Sequence, residues 1–512
     1  MLHRDSAHVA AQLLEREGAA APGEGQTPLT TRVRAFVHDR ARRARYVDMA
    51  TAHLGRRTAR GDGPFDVVLI GAGLHAAAFL YTLRSCSPHL RALVLEKSAQ
   101  VCSTFAGLGD ALVLNSPTFS RVGLNANIMP GHFVQVSDFD EVAERPFPTA
   151  KHLHQLAAMV LFHADANIEF GFDAVDITRR GATYVVSSND RHVQARSVVV
   201  CNGMGEPEDA AYEFDRRSQD IVFGDAFIAR CFEDPDFVTS VRGKSVAVVG
   251  AGDTANCVME YLVPLHYPND DYGVGGSSAI LPRSIVWVGQ RATDVREYFF
   301  ANKRRYCHSG GVIELFWQGD EPLELPAGVW AQVQRTIRCV PDRLVSVAHE
   351  PGGLALTTTS QTLRADIVID CTGRSNRLSM SLREGGVHFV DGDITLLGGR
   401  WDEALERHTA APRSLRARRV ACRLPAERVF FLGSACPLSA LIPDEEAGDG
   451  SMQHEEDRAS LTDSKWSLEH TLPRTVAFAQ QFACEARLAS AAAGTLVDFE
   501  HEPPKAAVDD RR

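Results

Sequence analysis

Phe65-Asp-Val-Val-Leu-Ile-Gly71-Ala-Gly73-Leu-His-Ala76, followed by Ala77-Ala-Phe-Leu-Tyr-Thr-Leu83, decides the fold. The run FDVVLI reads as a buried strand of β-branched and aliphatic residues, and the stretch after Ala76 reads as a helix. Between them stands a GxGxxA turn. Gly71 permits the tight turn, Gly73 lets the backbone approach a pyrophosphate, and the small Ala76 lets helix and strand pack closely. The start of the helix then offers unpaired N–H groups to phosphate. The next strand, Ala92-Leu-Val-Leu-Glu96, ends on an acid next to Lys97, where a carboxylate can bind a ribose diol. A glycine triplet alone is weak; strand, helix and acid around it make a strong signal. Phe65 to Leu83 is also apolar for almost the length of a membrane span. Asp66, His75, Gly71 and Gly73 interrupt it, and strand, turn and helix explain it better.

The device recurs. Ser245-Val-Ala-Val-Val249 is a strand, Gly250-Ala-Gly252-Asp253-Thr254-Ala255 the turn, and Asn256 to Val263 the helix. The following strand, Ser284 to Val288, runs into Gly289-Gln290-Arg291, with no carboxylate at the ribose position. An acid there repels a 2′-phosphate and a guanidinium pairs with it, so this site is expected to prefer NADPH; the alternative for Arg291 is a solvated surface position. Two dinucleotide turns without a dehydrogenase-sized substrate domain between them point to FAD at one and the nicotinamide at the other. Ser197-Val-Val-Val-Cys-Asn-Gly203 and Asp366-Ile-Val-Ile-Asp-Cys-Thr-Gly373 fit the chain crossings between two nucleotide domains, and Arg428-Val-Phe-Phe-Leu-Gly433 is a later strand of the same kind. A helix starting near Thr471 is expected to turn its positive end to the flavin.

Composition narrows the classes. Across 512 residues, 45% are hydrophobic and 23% charged, as in soluble globular proteins. The balance of 54 basic against 65 acidic residues, −11 overall, argues against nucleic-acid binding. Eleven cysteines with no CxxC pair argue for free thiols and against zinc, iron–sulfur or dithiol chemistry. The N-terminus lacks the apolar core of a signal peptide, so the expectation is a cytoplasmic protein without membrane association. Residues 1–61 form an Arg/Ala-rich segment, read as a helical extension in preference to a transit peptide, and 443–465 reads as a solvated acidic loop.

On these motifs the chain resembles the two-dinucleotide-binding-domain flavoproteins, and among them the class B flavoprotein monooxygenases (flavin-containing, Baeyer–Villiger and N-hydroxylating branches). The resemblance covers roughly residues 64–435 by motif order. GAGLHA with Glu96 matches the FAD site, Asp366 to Gly373 the ATG-like linker, and VGQRAT at 288–293 the NADPH-phosphate segment of Baeyer–Villiger enzymes. Ala111-Leu-Val-Leu-Asn115, with FPTAKHLHQLAAMVLFHADANIEF after it, resembles the flavin-containing branch, which implies that Asn115 sits beside the flavin; the alternative is that its amide ties down the turn before Pro117. Two departures stand out. The Gly-Gly-Thr-Trp stretch is reduced to Ser103-Thr104-Phe105. The histidine fingerprint before the second turn is replaced by IVFGDAFIARC at 221–231, with Gly224 near the histidine's place.

No HExxH, GxSxG or Walker A motif is present. His152 and His154, two apart on a helix, face different sides and read as a stabilised helix surface. Tyr298, Phe299, Phe300, Lys303, Arg304 and Arg305 read as a wall of the cofactor or substrate entrance. The expected fold is α/β with two Rossmann-like domains: an FAD domain of residues 62–230 and 374–512, split around an NADPH domain of 231–373. The resemblance implies hydride transfer from NADPH to FAD and a C4a-(hydro)peroxyflavin that oxygenates a small molecule at nitrogen, sulfur or a carbonyl, with molecular oxygen as co-substrate. Two alternatives stay open: a flavin oxidoreductase that passes electrons to another acceptor, and a non-catalytic nucleotide-binding subunit.

Overall fold

The computed structural model describes residues 48, 50–54, 63–112, 149–203, 212–213, 218–263, 280, 282–290, 292, 335–372, 381–384, 387–389, 428–432, 475–476, 478–480 and 482–486. The expectations for Asn115, Arg291, Gly373 and Gly433, for the extension before residue 48, and for stretches 298–305 and 443–465 lie outside the described residues.

The chain builds one kind of unit twice. The first contains β1 (Val67–Ile70), α1 (Leu74–Cys86), β2 (Ala92–Glu96), α2 (Ser103–Leu108), a 3-10 turn η1 (Gly109–Ala111), α3 (Ala150–His163) and β3 (Ile168–Phe170). It continues through the antiparallel strands β4 (Asp176–Arg180), β5 (Thr183–Ser187) and β6 (His192–Ala195) to β7 (Val198–Val200). The second contains β8 (Ile221–Phe223), α4 (Gly224–Glu233), α5 (Pro235–Val241), β9 (Ser245–Val249), α6 (Asp253–Leu262), β10 (Ser284–Val288) and β11 (Ile337–Val340). Antiparallel β12 (Leu344–Glu350), β13 (Gly353–Thr358) and β14 (Thr362–Ala365) then lead to β15 (Ile367–Asp370). Beyond it lie β16 (Ser381–Glu384), β17 (Val387–Phe389) and β18 (Val429–Phe431).

The first parallel sheet has the order β18-β7-β1-β2-β3 and the second the order β8-β15-β9-β10-β11. In each, the strand that leads into the glycine turn lies centrally, and a three-stranded antiparallel segment precedes the strand that pairs on its other side. β8 precedes residue 231 yet pairs with β15, so among the described strands the chain crosses to the second sheet between β7 and β8.

The residues explain the layers. A parallel strand covered on both faces must be apolar throughout, and VVLI of β1 and VVV of β7 are buried at every position. Val67 and Leu69 of β1 face a core containing Leu80 and Leu83 of α1 and Leu153 and Leu161 of α3. Val68 and Ile70 face Ile177, Val186 and Val193 of the antiparallel layer. In the second unit Val246 and Val248 of β9 meet α4 and α6, whereas Ala247 and Val249 meet Leu354, Leu356 and Leu363.

Ala50 and Leu54 of the helical residues near the N-terminus join the first core, and the His53 ring stands edge-on to Phe162 at 5.2 Å. Helical residues from Thr475 bring Phe478 and Phe482 against Phe79 and Phe430; residues 471–474 lie outside the described set. The two helix histidines correct the surface expectation. His152 is buried, and its Nδ1 accepts the Thr149 N–H at 2.9 Å in a capping box, because α3 is covered on nearly every side. His154 is partly buried and bonds the Val101 carbonyl through Nδ1 at 3.0 Å. Among the described residues no helix is long and apolar enough to cross a membrane.

Candidate functional site

The first glycine turn joins β1 to α1. The Gly71 N–H donates to the Leu95 carbonyl at 2.8 Å, which fixes the turn against the end of β2. Gly71 has φ +100, and a Cβ there would lie 2.6 Å from the Cys201 carbonyl oxygen and 2.8 Å from Asn202 Cα. The position therefore requires glycine on two counts, backbone conformation and the close approach of the chain leaving β7. Gly73 differs. It caps α1 in an extended conformation without a side-chain cap, and a Cβ there would meet nothing within 4 Å among the described residues. Among the described residues no side chain caps the first amides of α1, as an anion site at a helix start needs. Ala76 is fully buried, and at Gly203 (φ +79) an added Cβ would also meet nothing within 4 Å among the described residues.

Glu96 ends β2 at 5% exposure. Its Oε2 accepts the Ala72 N–H at 2.8 Å and its Oε1 the Ser98 N–H at 2.9 Å, so the carboxylate is oriented by backbone at the turn itself. Lys97 next to it is exposed. Burial, reinforced by the Glu96 charge, pushes the Cys102 thiol up to about 12, and the same two causes hold the Cys201 thiol well above its ordinary value. Neither sulfur is a thiolate at neutral pH.

Burial pushes the His75 imidazole, in the first turn of α1, from 6.5 down to about 4. Between those values the unfolded chain binds a proton that the folded chain does not, so stability rises with pH there and is lost as pH falls from 6.5 toward 4. A displacement of that size is worth up to about 3 kcal/mol. Melting the purified protein across this window should show that loss, and His75→Gln should flatten the slope. An unchanged slope in the variant would show that other groups produce it.

The second glycine turn repeats this geometry. The Gly250 N–H donates to the Val288 carbonyl at 2.8 Å, φ is +109, and a Cβ would collide with the Cys371 carbonyl, 2.6 Å from its carbon. The Trp287 indole N–H donates to the Gly250 carbonyl at 2.8 Å. Gly252 caps α6 without a side-chain cap and, among the described residues, with nothing within 4 Å of an added Cβ. Asp253 begins the helix, Thr254 is partly buried, and Ala255 takes the buried place that Ala76 holds in the first unit.

Register makes the difference between the turns explicit. Ile70 pairs with Leu95 and Val249 with Val288, each immediately before its first glycine. Glu96 and Gly289 are therefore equivalent positions, and so are Lys97 and Gln290. The second site has no side chain where the first has a buried carboxylate, and a Cβ on Gly289 would sit 3.4 Å from Ala251 Cβ. Gln290 is exposed. α4 begins against the second turn at Gly224. A Cβ on Gly224 would lie 2.5 Å from the Thr254 methyl and 2.9 Å from Cys371 Sγ, so a side chain there would force α4 or these neighbours at the second turn to shift.

Several residues at these sites are not evident from motifs. Cys201 and Cys371 are the strand-end residues on which the two first glycines rest, and the shared Cys-(Asn/Thr)-Gly pattern after β7 and β15 is the signal that could have revealed them. Asp370 is buried at the end of β15; its Oδ1 accepts the Thr372 N–H at 3.0 Å and hydroxyl at 2.7 Å. Burial first, and then Asp370 facing it, hold the Tyr212 hydroxyl well above its ordinary range.

No family model matches the chain, and no curated protein matches it. Among solved structures it is similar to a flavin-containing monooxygenase from Stenotrophomonas maltophilia, at 15% identity over 83% of this chain and 99% of that one, with a TM-score of 0.43. It is similar to an ornithine N-hydroxylase from Kutzneria sp. 744, in a form with reduced FAD, NADP+ and L-ornithine, at 16% identity over 61% and 81% with a TM-score of 0.41. It is also similar to a bacillithiol disulfide reductase from Bacillus cereus, at 12% identity over 83% and 100% with a TM-score of 0.45.

Proposed function

We propose that the chain is an FAD- and NADPH-dependent oxidoreductase, and specifically a monooxygenase of a small molecule. The observation that carries the cofactor reading is the pairing of two glycine turns of one geometry, one with a buried carboxylate at the ribose position and the other with Gly289 there. When bound, NADPH supplies a hydride and FAD passes the electrons on to oxygen. The open cradles over Gly73 and Gly252 fit two pyrophosphates, each facing a helix start without a side-chain cap. Glu96, held by the Ala72 and Ser98 amides, orients the FAD ribose, with Gly203 lining the same space. Thr254 and Ala255 let α6 lie close to the second turn, and Gln290 and Arg291 flank the 2′-phosphate. Gly433, which follows β18 of the first sheet, is assigned to the flavin-side strand ends, Gly373, which follows β15, to the crossing between the two nucleotide domains, and Asn115 to the flavin's edge. The domain division at 62–230 with 374–512 around 231–373 belongs to the same proposal, except that its first boundary moves back ahead of residue 221, since β8 pairs with β15 and Phe227 and Ile228 of α4 enter the second core.

The disulfide-reductase form of the alternative finds little support in the thiols. The sequence has no CxxC, and burial holds Cys102, Cys201, Cys231 and Cys371 protonated. The oxygenase reading is tested by reducing the protein with NADPH and mixing it with oxygenated buffer. Reoxidation in two resolved phases, with little hydrogen peroxide released while NADP+ stays bound, supports it. Single-phase reoxidation with stoichiometric peroxide supports an enzyme that serves another acceptor.

Arg291→Ala should weaken NADPH about ten- to a hundred-fold and leave NADH nearly unchanged, since a charge-assisted contact is worth about 1.5–3 kcal/mol. Titration of both coenzymes measures this directly. Equal losses would assign Arg291 a structural role.

A further inference from the structure

We propose that residues 101–112 are a strut that docks the second unit on the first, and that Tyr261 is a positioning residue that seats it. The hydride-transfer consequence rests on the reading above, but the strut is defined by contacts alone.

One end of the strut is tied to the first glycine turn. The Cys102 N–H donates to the Ala72 carbonyl at 2.9 Å, in the turn whose own Ala72 N–H is held by Glu96. His154 on α3 bonds the preceding carbonyl, that of Val101. Cys102 adopts a left-handed conformation, φ +50, to start α2, a backbone state that costs a non-glycine residue free energy and persists where its surroundings hold it. Phe105 then packs against the first core.

The other end enters the second unit. Ala111 is 3% exposed and belongs to the core formed by α4, α6 and β9, and Leu112 packs against the same core. The Tyr261 hydroxyl, on α6, donates to the Ala111 carbonyl at 2.6 Å across 150 residues of sequence. The Leu112 carbonyl accepts the Ala150 N–H at 2.9 Å, which returns the chain to α3. A segment that begins at one dinucleotide turn thus ends bonded to the helix that leaves the other, and Asn115 follows three residues later. Tyr261 lies at the far end of α6 from Gly252, so its hydroxyl sets the placement of the second unit and not the shape of its nucleotide site.

Tyr261→Phe keeps the ring and removes the bond. Amide hydrogen exchange across residues 101–112 of the purified protein should accelerate, with flavin content and the NADPH dissociation constant unchanged. Flavin reduction at saturating NADPH should slow by roughly three- to ten-fold, the size of one lost hydrogen bond acting on alignment. Unchanged exchange would overturn the strut whatever the kinetics show. Faster exchange with an unchanged reduction rate would overturn the positioning role. If the unsubstituted protein is not reduced by NADPH, the functional reading falls instead, and the exchange data alone decide the strut.

Discussion

Gly71→Val should yield protein that purifies without flavin and melts well below the unsubstituted chain. At φ +100 a β-branched residue is strained, and its Cβ would press on the Cys201–Asn202 backbone at 2.6–2.8 Å, so either β7 or the turn must move. The combined cost is about 3–5 kcal/mol, within the range of a substitution at a special backbone conformation that also displaces buried chain. Flavin released on denaturation, measured against protein, checks the first part and a thermal melt the second. A variant with full flavin occupancy would show that the first turn does not hold it.

A sharper expectation separates fold from cofactor. Gly73 and Gly252 have extended backbones and, among the described residues, open space where a Cβ would go, so alanine should fit the fold at both, its gain through the unfolded chain offset by the loss of a favoured N-cap residue and the net change small. Each methyl would nevertheless stand where the pyrophosphate approaches. Gly73→Ala should therefore give a folded, colourless protein. Gly252→Ala should stay yellow and lose NADPH affinity by about a hundred-fold, the scale of two or three kcal/mol of lost phosphate contact. Melting curves with flavin and coenzyme titrations distinguish the two. Loss of folding in either would mean that the cradle is filled by protein.

The repeated strand–turn–helix was legible because it is local: FDVVLI before GAGLHA and SVAVV before GAGDTA fix strand, turn and helix within about twenty residues each. Glu96 was legible because the strand that carries it ends on it. Long-range pairing was not. That Gly289, and not its neighbours, occupies the Glu96 position follows only from the register of β9 on β10. That a side chain at Gly224 would displace its neighbours follows from the approach of α4 to Thr254 and Cys371, residues 30 and 147 positions away in sequence. His152 and His154 were misread because helical spacing tells which residues share a face and not how many faces are covered; α3 is buried almost throughout. Ala111 entering the second core has no sequence signal, since a short apolar run reads the same in either unit.

The central claim, that one chain holds a flavin at its first turn and a phosphorylated nicotinamide at its second, is met most directly by mixing the purified protein with NADPH in the absence of oxygen and following the flavin's visible absorption. Rapid bleaching by NADPH, much slower bleaching by NADH at equal concentration, and loss of the NADPH response in Gly252→Ala with flavin retained is the predicted result. A flavin that NADPH leaves oxidised, or a purified chain that carries none and binds none when FAD is added, would contradict it.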